Sequence, residues 1–277
     1  MILDWVMIVG GLALLVFGGD ALVKGAVNLS LRLGIPPLIV GLTVVAFGTS
    51  APELLVSVQA ALAGQAGISL GNVVGSNIAN ILLILGLPAL LTTIHCSTSD
   101  TTRSYWVMIA TTLLFIGLSF TGPLVWWHGL ILLTGLALML GDNIRLARAH
   151  KAEAGSTLDG VDAHMAMGRI VLYIGLGLIG LALGARFLVD GASNVARAWG
   201  VSETVIGLTL VALGTSLPEL VTSIIAALRK QADVAMGNVI GSNTFNILSI
   251  LGITALIAPL DVPEEILSFD NWVMLAV

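Results

Sequence analysis

Residues 41–91 and 207–257 are two copies of one sequence. Gly41-Leu-Thr-Val-Val-Ala-Phe-Gly-Thr-Ser-Ala-Pro-Glu53-Leu returns as Gly207-Leu-Thr-Leu-Val-Ala-Leu-Gly-Thr-Ser-Leu-Pro-Glu219-Leu, an offset of 219 − 53 = 166. The same offset pairs Gly71-Asn72-Val-Val-Gly75-Ser76-Asn77-Ile-Ala-Asn80 with Gly237-Asn238-Val-Ile-Gly241-Ser242-Asn243-Thr-Phe-Asn246, without a gap. Roughly 30 of the 51 positions are identical, far beyond what shared apolar composition gives, so the chain is an internal duplication. Fainter echoes at that offset pair Asn28 with Asn194 and Trp106 with Trp272. Whatever the fold, it is built from two like units.

The solvent of those units follows from charge. Of 277 residues, 57% are hydrophobic and 10% are charged, with a mean hydropathy of +1.04. A soluble domain carries about 25% charged residues, so the charged shell of a soluble enzyme is missing here. The apolar residues fall in unbroken runs of roughly 17–25, long enough to cross a bilayer as helices. The 32 glycines and 8 prolines lie mostly inside those runs, as membrane helices allow. A 5% aromatic content and a net charge of −5 exclude a nucleic-acid partner. Cys96 is the only cysteine, so neither an internal disulfide nor a cysteine-based metal site is expected. The N-terminus carries Asp4 and no basic residue, so the first run reads as a retained span rather than a cleaved signal.

Runs and breakers place spans near 5–31, 38–63, 70–92, 104–120, 124–143, 168–189, 204–228 and 236–258, with a ninth opening near Trp272. Five spans per copy is an odd number, so the copies enter the membrane in opposite directions. The expected fold is therefore an all-α polytopic membrane protein of two inverted-topology five-helix repeats, with a substrate site near the midplane where they meet. The repeats are assigned to 1–144 and 168–277, joined by a cytoplasmic linker at 145–167. Trp272–Ala276 aligns with Trp106–Ala110, so on this ten-helix plan the second repeat is C-terminally incomplete and the chain ends within the ninth helix. Alternating spans put Lys24, Arg32, Arg103, Arg145, Arg148, Lys151, Arg169, Arg229 and Lys230 on one face, against Arg186 and Arg197 on the other. The positive-inside bias then places the N-terminus outside a cell (inner) membrane and the linker in the cytoplasm.

Glu53 and Glu219 sit deep in apolar helices, where an ionised carboxylate costs about 2.5–3.5 kcal/mol on insertion scales. Both copies keep that cost within Thr-Ser-x-Pro-Glu. Thr49, Ser50 and Glu53 lie at i, i+1 and i+4, so their oxygens project from adjoining parts of one helical face. Pro52 removes a backbone donor and crowds the Gly48 carbonyl, bending the helix and freeing carbonyl oxygen; Thr215, Ser216, Pro218 and Glu219 repeat the arrangement. Carboxylate, hydroxyl and carbonyl oxygens suit a hard cation, and calcium takes 6–8 of them. Asn80 and Asn246, with Ser76 and Ser242, can complete the ring from the following helices. Spans two, three, seven and eight hold no Lys or Arg away from their ends, so the glutamates need a bound cation or a proton.

These motifs resemble the alpha repeats of the sodium/calcium exchanger family, prokaryotic type, within the calcium/cation antiporter superfamily. The doubled G-T-S-x-P-E…G-N-x-x-G-S-N signature carries the resemblance over essentially the whole chain. It implies alternating access that exchanges Na+ for Ca2+, with these as transported ions and no cofactor. It puts calcium on Glu53 and Glu219 with the carbonyls of Thr49 and Thr215, and sodium on Ala46, Ser50, Ser76, Ala212, Ser216 and Ser242, shared with the glutamates. Some members carry aspartate at the position of Asn80 or Asn246; here both are asparagine, so the site charge is nearer −2 than −3. A proton-coupled antiporter of the same fold is the near alternative, since carboxylates also carry H+. A passive channel or a non-transporting scaffold is the alternative from another class, but a channel lines a continuous pore and these acids lie at one depth. Beyond the ions and the lipid bilayer no obligatory protein partner is evident.

Other patterns have plainer explanations. Gly175-x-Gly-x-x-Gly180 matches a dinucleotide fingerprint but lies inside an apolar span with no preceding strand, so it reads as helix packing. Gly71-x-x-x-Gly75 and Gly237-x-x-x-Gly241 also read as packing. Asn72 and Asn238 read as inter-helix glue, and Ser76 and Ser242 either ligate or bond back to the preceding turn.

Overall fold

The computed structural model describes residues 1–91, 99–150, 165–202, 206, 210 and 212–277. Its apolar runs are helices, and punctuation residues set their ends. Helix α1 (Ile2–Leu33) stops at Gly34, whose φ of 67° supplies a left-handed cap, and Pro36-Pro37 starts the next helix. That helix is broken: α2 (Pro37–Thr49) and α3 (Ala51–Leu62) meet at a 45° bend on Ser50. Next come α4 (Ala66–Leu90), α5 (Ser99–Ser119), α6 (Trp126–His150) and α7 (Met167–Ala198). The second broken segment follows as α8 (Ala212–Thr215) and α9 (Leu217–Leu228), then α10 (Ala232–Ile257) and α11 (Ile266–Ala276). Gly64 and Lys230, 166 apart, both take positive φ in the turns after α3 and α9, so the duplication extends to backbone shape even where glycine is replaced.

Each of α1, α4, α6, α7 and α10 is long and apolar enough to cross a membrane, and α2 with α3 qualifies as one bent span. Large apolar side chains such as Phe17, Leu90, Leu138 and Val171 lie on the outside, where lipid replaces water. Among the described residues there is no strand; the loops before α6 and before α11 touch through one antiparallel bridge, Leu124 N–H to Leu260 C=O and the reverse, each 2.9 Å.

Helices α1 and α7 pack along a glycine-lined face. A Cβ on Gly11 would lie 2.8 Å from the Gly184 carbonyl oxygen, and one on Gly177 would lie 2.7 Å from the Leu22 nitrogen. Gly180 meets Gly18, so Gly177 and Gly180 of the fingerprint-like run are packing residues, while Gly175 faces open space. The core has two large apolar parts among the described residues, Leu15, Leu22, Leu181 and Val234 between α1, α7 and α10, and Val73, Phe115, Leu132 and Ile247 between α4, α5, α6 and α10, with a smaller third of Leu38, Leu42, Met108 and Ile240. Helix α10 runs between both and is the most enclosed of the spans.

Three boundaries differ from expectation. Helix α6 continues to His150, so the first six residues assigned to the linker are helical, and α7 continues nine residues past 189 to Ala198. Their ends are polar, and hydropathy stops at the membrane while hydrogen bonding does not. The ninth helical segment opens at Glu264, well before Trp272: Pro263 accepts from the Ile266 N–H, and Glu264 and Glu265 sit in the first turn, where acids favour a helix N-terminus. Linker residues 151–164, together with His95, Cys96 and much of 203–211, lie outside the described residues.

Candidate ion-binding site

Both helix breaks do what Pro52 and Pro218 dictate. Before the first, Ser50 N–H donates to the Ala46 carbonyl (3.0 Å); the next backbone rung is Leu54 N–H to the Ser50 carbonyl (3.2 Å). Ser50 and Ser216 leave helical geometry, with ψ near 4° and 1°, and Glu53 and Glu219 stand in the first turn of the helices that follow. Glu53 is 1% and Glu219 2% exposed. Asn72 and Asn238 tie the breaks down: Asn72 Nδ2 donates to the Glu53 carbonyl (3.2 Å) and Ser57 Oγ (2.9 Å). Asn238 Nδ2 repeats this on the Glu219 carbonyl (3.3 Å) and Ser223 Oγ (3.0 Å). These two asparagines are inter-helix glue.

The polar contacts of the site cross between the copies. Ser50 Oγ donates to Glu219 Oε1 (3.0 Å), and Ser216 Oγ to Glu53 Oε1 (3.4 Å). Ser76 Oγ lies 3.2 Å from Ser216 Oγ. Asn80 Nδ2 donates to Asn243 Oδ1 (2.8 Å), and Asn246 Nδ2 to Asn77 Oδ1 (3.0 Å). Asn80 and Asn246 each open a π-helical turn, Asn80–Leu85 and Asn246–Leu251, the kind of bulge that recurs at functional sites. Among the described residues nine buried side-chain oxygens lack a hydrogen-bond partner, and four belong to this group: Glu53 Oε2, Glu219 Oε2, Ser242 Oγ and Asn246 Oδ1.

The remaining expected residues divide. Ala46 is buried in α2 and Ala212 opens α8. Thr215 closes α8, half-buried. The Thr49 hydroxyl lies within hydrogen-bond reach of the carbonyls of Val45 (3.1 Å) and Ala46 (3.3 Å) and of Asn238 Oδ1 (3.2 Å), and its side chain also interacts with that of Glu219. Ser76 and Ser242 do not bond back to the preceding turn. Gly237 and Gly241 pack against Leu38, Gly41, Leu42 and Ala46, whereas Gly71 and Gly75 are exposed with open space where a Cβ would stand, so the expected packing role holds in the second copy and not in the first. Asn77 and Asn243 were not singled out by the sequence, although both stand three residues before a candidate ligand inside the repeated motif. Among the described residues no three His, Cys, Asp or Glu side chains converge as a conventional metal centre, so the group is two carboxylates within a shell of neutral oxygens.

A bundle of apolar helices, broken twice and meeting through reciprocal buried oxygens, defines a polytopic membrane transporter of the inverted-repeat class. A family profile described as "Sodium/calcium exchanger protein" matches residues 3–141 and 169–277, and the chain belongs to that family. It is 37% identical over 280 residues to the putative antiporter CaxA of Alkalimonas amylolytica, covering all of this chain and 88% of that one. It is 33% identical over 310 residues to the sodium/calcium exchanger MaX1 of Methanosarcina acetivorans, covering 99% and 89%. The solved structure of the sodium-calcium exchanger NCX_Mj soaked with 2.5 mM Na+ and 10 mM Sr2+ superposes with a TM-score of 0.86 at 32% identity, covering 99% of this chain and 89% of that one. The all-α, two-repeat inverted fold expected from the duplication is the fold of this chain.

Proposed function

We propose that this protein is a secondary active antiporter exchanging sodium for calcium by alternating access, with Glu53 and Glu219 as the shared ligands at the midplane. The observation that carries this is the gathering of unpartnered buried oxygens, two of them carboxylate, where the copies meet. Buried charge of one sign must be neutralised, and among the described residues no Lys or Arg bonds to either glutamate. Serine from the opposite copy holds one oxygen of each glutamate and leaves the other free. Two carboxylate oxygens, the amide oxygens of Asn80 and Asn246 and the carbonyls of Thr49 and Thr215 approach the number calcium takes. Ala46, Ser50, Ser76, Ala212, Ser216 and Ser242 would serve sodium alongside the same glutamates. Because both ions need the glutamates, full occupancy by one excludes the other, and that exclusion enforces exchange.

Residues 1–144 and 168–277 would be the two moving halves, with 145–167 in the cytoplasm and the N-terminus outside, as loop charge directs. The names of MaX1 and NCX_Mj support sodium and calcium as the exchanged pair. Vesicles loaded with sodium and diluted into sodium-free buffer should take up calcium. Uptake that survives intact in Glu53→Gln and Glu219→Gln would refute the site assignment.

A further inference from the structure

Asparagine presents either an acceptor or a pair of donors, and which one meets a cation depends on how the amide is turned. Four buried asparagines lie between α4 and α10, and their turns are linked. Asn77 Nδ2 donates to the Asn243 backbone carbonyl (3.2 Å) and to Met274 Sδ (3.8 Å). A carbonyl and a thioether can only accept, so the Asn77 amide nitrogen is fixed on that side and its oxygen faces Asn246. Asn246 answers with its own nitrogen (3.0 Å), which turns Asn246 Oδ1 away, buried and without a protein donor.

The other copy repeats the side-chain contacts without the bond to a backbone carbonyl. Asn243 Nδ2 donates to Met108 Sδ (3.5 Å), Asn243 Oδ1 receives Asn80 Nδ2 (2.8 Å), and Asn80 Oδ1 is turned outward from that contact. Met108 and Met274 are 166 apart, like Asn77 and Asn243, and Asn80 and Asn246. Both chains of contacts, Met274–Asn77–Asn246 and Met108–Asn243–Asn80, pass from one copy to the other and back.

The structure assigns to Asn77, Asn243, Met108 and Met274 a positioning role: two crossed relays that lock the amide oxygens, not the amide nitrogens, of Asn80 and Asn246 onto the cation site. This rests on the functional assignment above and adds residues that touch no ion. A flipped amide would put N–H donors against a cation and remove an oxygen ligand. The sulfur ends of both relays wall a cavity of about 400 Å³, so leucine fits in place of either methionine while taking away the acceptor.

The test is sodium-driven calcium uptake by the full chain in vesicles, with KM and Vmax measured separately and the unfolding temperature as a control. Met108→Leu frees the Asn243 amide, and Asn77→Leu removes the acceptor that holds Asn246. Each should raise KM for calcium roughly tenfold, the scale of a lost hydrogen bond or ligand to a charged group, with Vmax little changed; the unfolding temperature should hold in Met108→Leu and fall in Asn77→Leu, which removes three buried contacts. The same changes should then lose their effect where there is no amide to orient: Met108→Leu in an Asn80→Asp background, and Asn77→Leu in an Asn246→Asp background. An unchanged KM in the single variants overturns the relay, as does an equal KM shift in the aspartate backgrounds, which would mark a packing effect. If Asn77→Leu does not fold, the Met108→Leu pair decides alone. Wild-type protein that takes up no calcium would instead overturn the functional assignment, and the relay with it.

Discussion

Asn238 and Asn72 are equivalent by sequence, yet the structure predicts that replacing them is unequal. Asn238 is fully buried and makes three hydrogen bonds: two as donor, to the Glu219 carbonyl and Ser223, and one as acceptor from Thr49 in the other copy. Asn72 is half-buried and makes two, to the Glu53 carbonyl and Ser57. Polar bonds between membrane helices average about 0.6 kcal/mol, with model peptides nearer 1–2. At about 0.6–1 kcal/mol each, Asn238→Leu loses about 2–3 kcal/mol and Asn72→Leu about 1–2. The partners orphaned at both positions are buried, Glu219 and Ser223 beside 238 and Glu53 and Ser57 beside 72, so the cost of about 1–3 kcal/mol for an orphaned buried polar group falls on both variants and the third bond of Asn238 sets the difference. Reversible unfolding of both variants in detergent, followed by tryptophan fluorescence against denaturant, measures the difference. Equal losses, or a larger loss for Asn72→Leu, would refute the claim that the third, inter-copy bond sets the difference.

Further outcomes follow from other parts of the molecule. Ser50→Ala should raise KM for calcium more than Ser216→Ala, because Ser50 holds its carboxylate at 3.0 Å while Ser216 sits at 3.4 Å and is shared with Ser76; initial uptake rates against calcium concentration decide it. Acidifying the calcium side should slow uptake, since protons compete for the same carboxylate oxygens, and raising sodium-free external calcium should restore the rate; a pH gradient that drives uptake with no sodium present would identify proton coupling instead. Gly184→Leu should prevent correct folding, because a Cβ there already meets the Leu15 nitrogen at 2.8 Å, whereas Gly10→Leu, with open space around it, should express and run as a single species on size exclusion. Arg229→Gln should change stability by less than about 1 kcal/mol, since its ion pair with Asp20 is partly exposed.

Much of the site was legible in the sequence because duplication marks what both halves must keep. Thr-Ser-x-Pro-Glu announced a broken helix with an acid just past the break, and the backbone breaks at Ser50 and Ser216. The pairing of ligands was not legible. Helical spacing says which oxygens share a face, but that Ser50 reaches Glu219 rather than Glu53 depends on two segments 169 residues apart meeting head to head. The contact of the Thr49 hydroxyl with Asn238 was hidden for the same reason, since Asn238 lies on α10. Helix lengths were underestimated at α6, α7 and α11 because hydropathy reports the bilayer, whereas helices end where hydrogen bonding and capping stop them.

The serine–glutamate and asparagine–asparagine bonds join residues of different copies, and this makes the halves complementary fragments rather than independent ones. A chain cut within 151–164 would give two pieces, each with a carboxylate, a hydroxyl and two amides buried against nothing. In lipid such groups have no water to turn to, so each piece has one strongly favoured partner, the other. Co-expressed as separate polypeptides, they should find each other and rebuild the site. Expressed alone, either should self-associate, head to tail across the membrane, as the nearest substitute for its missing twin.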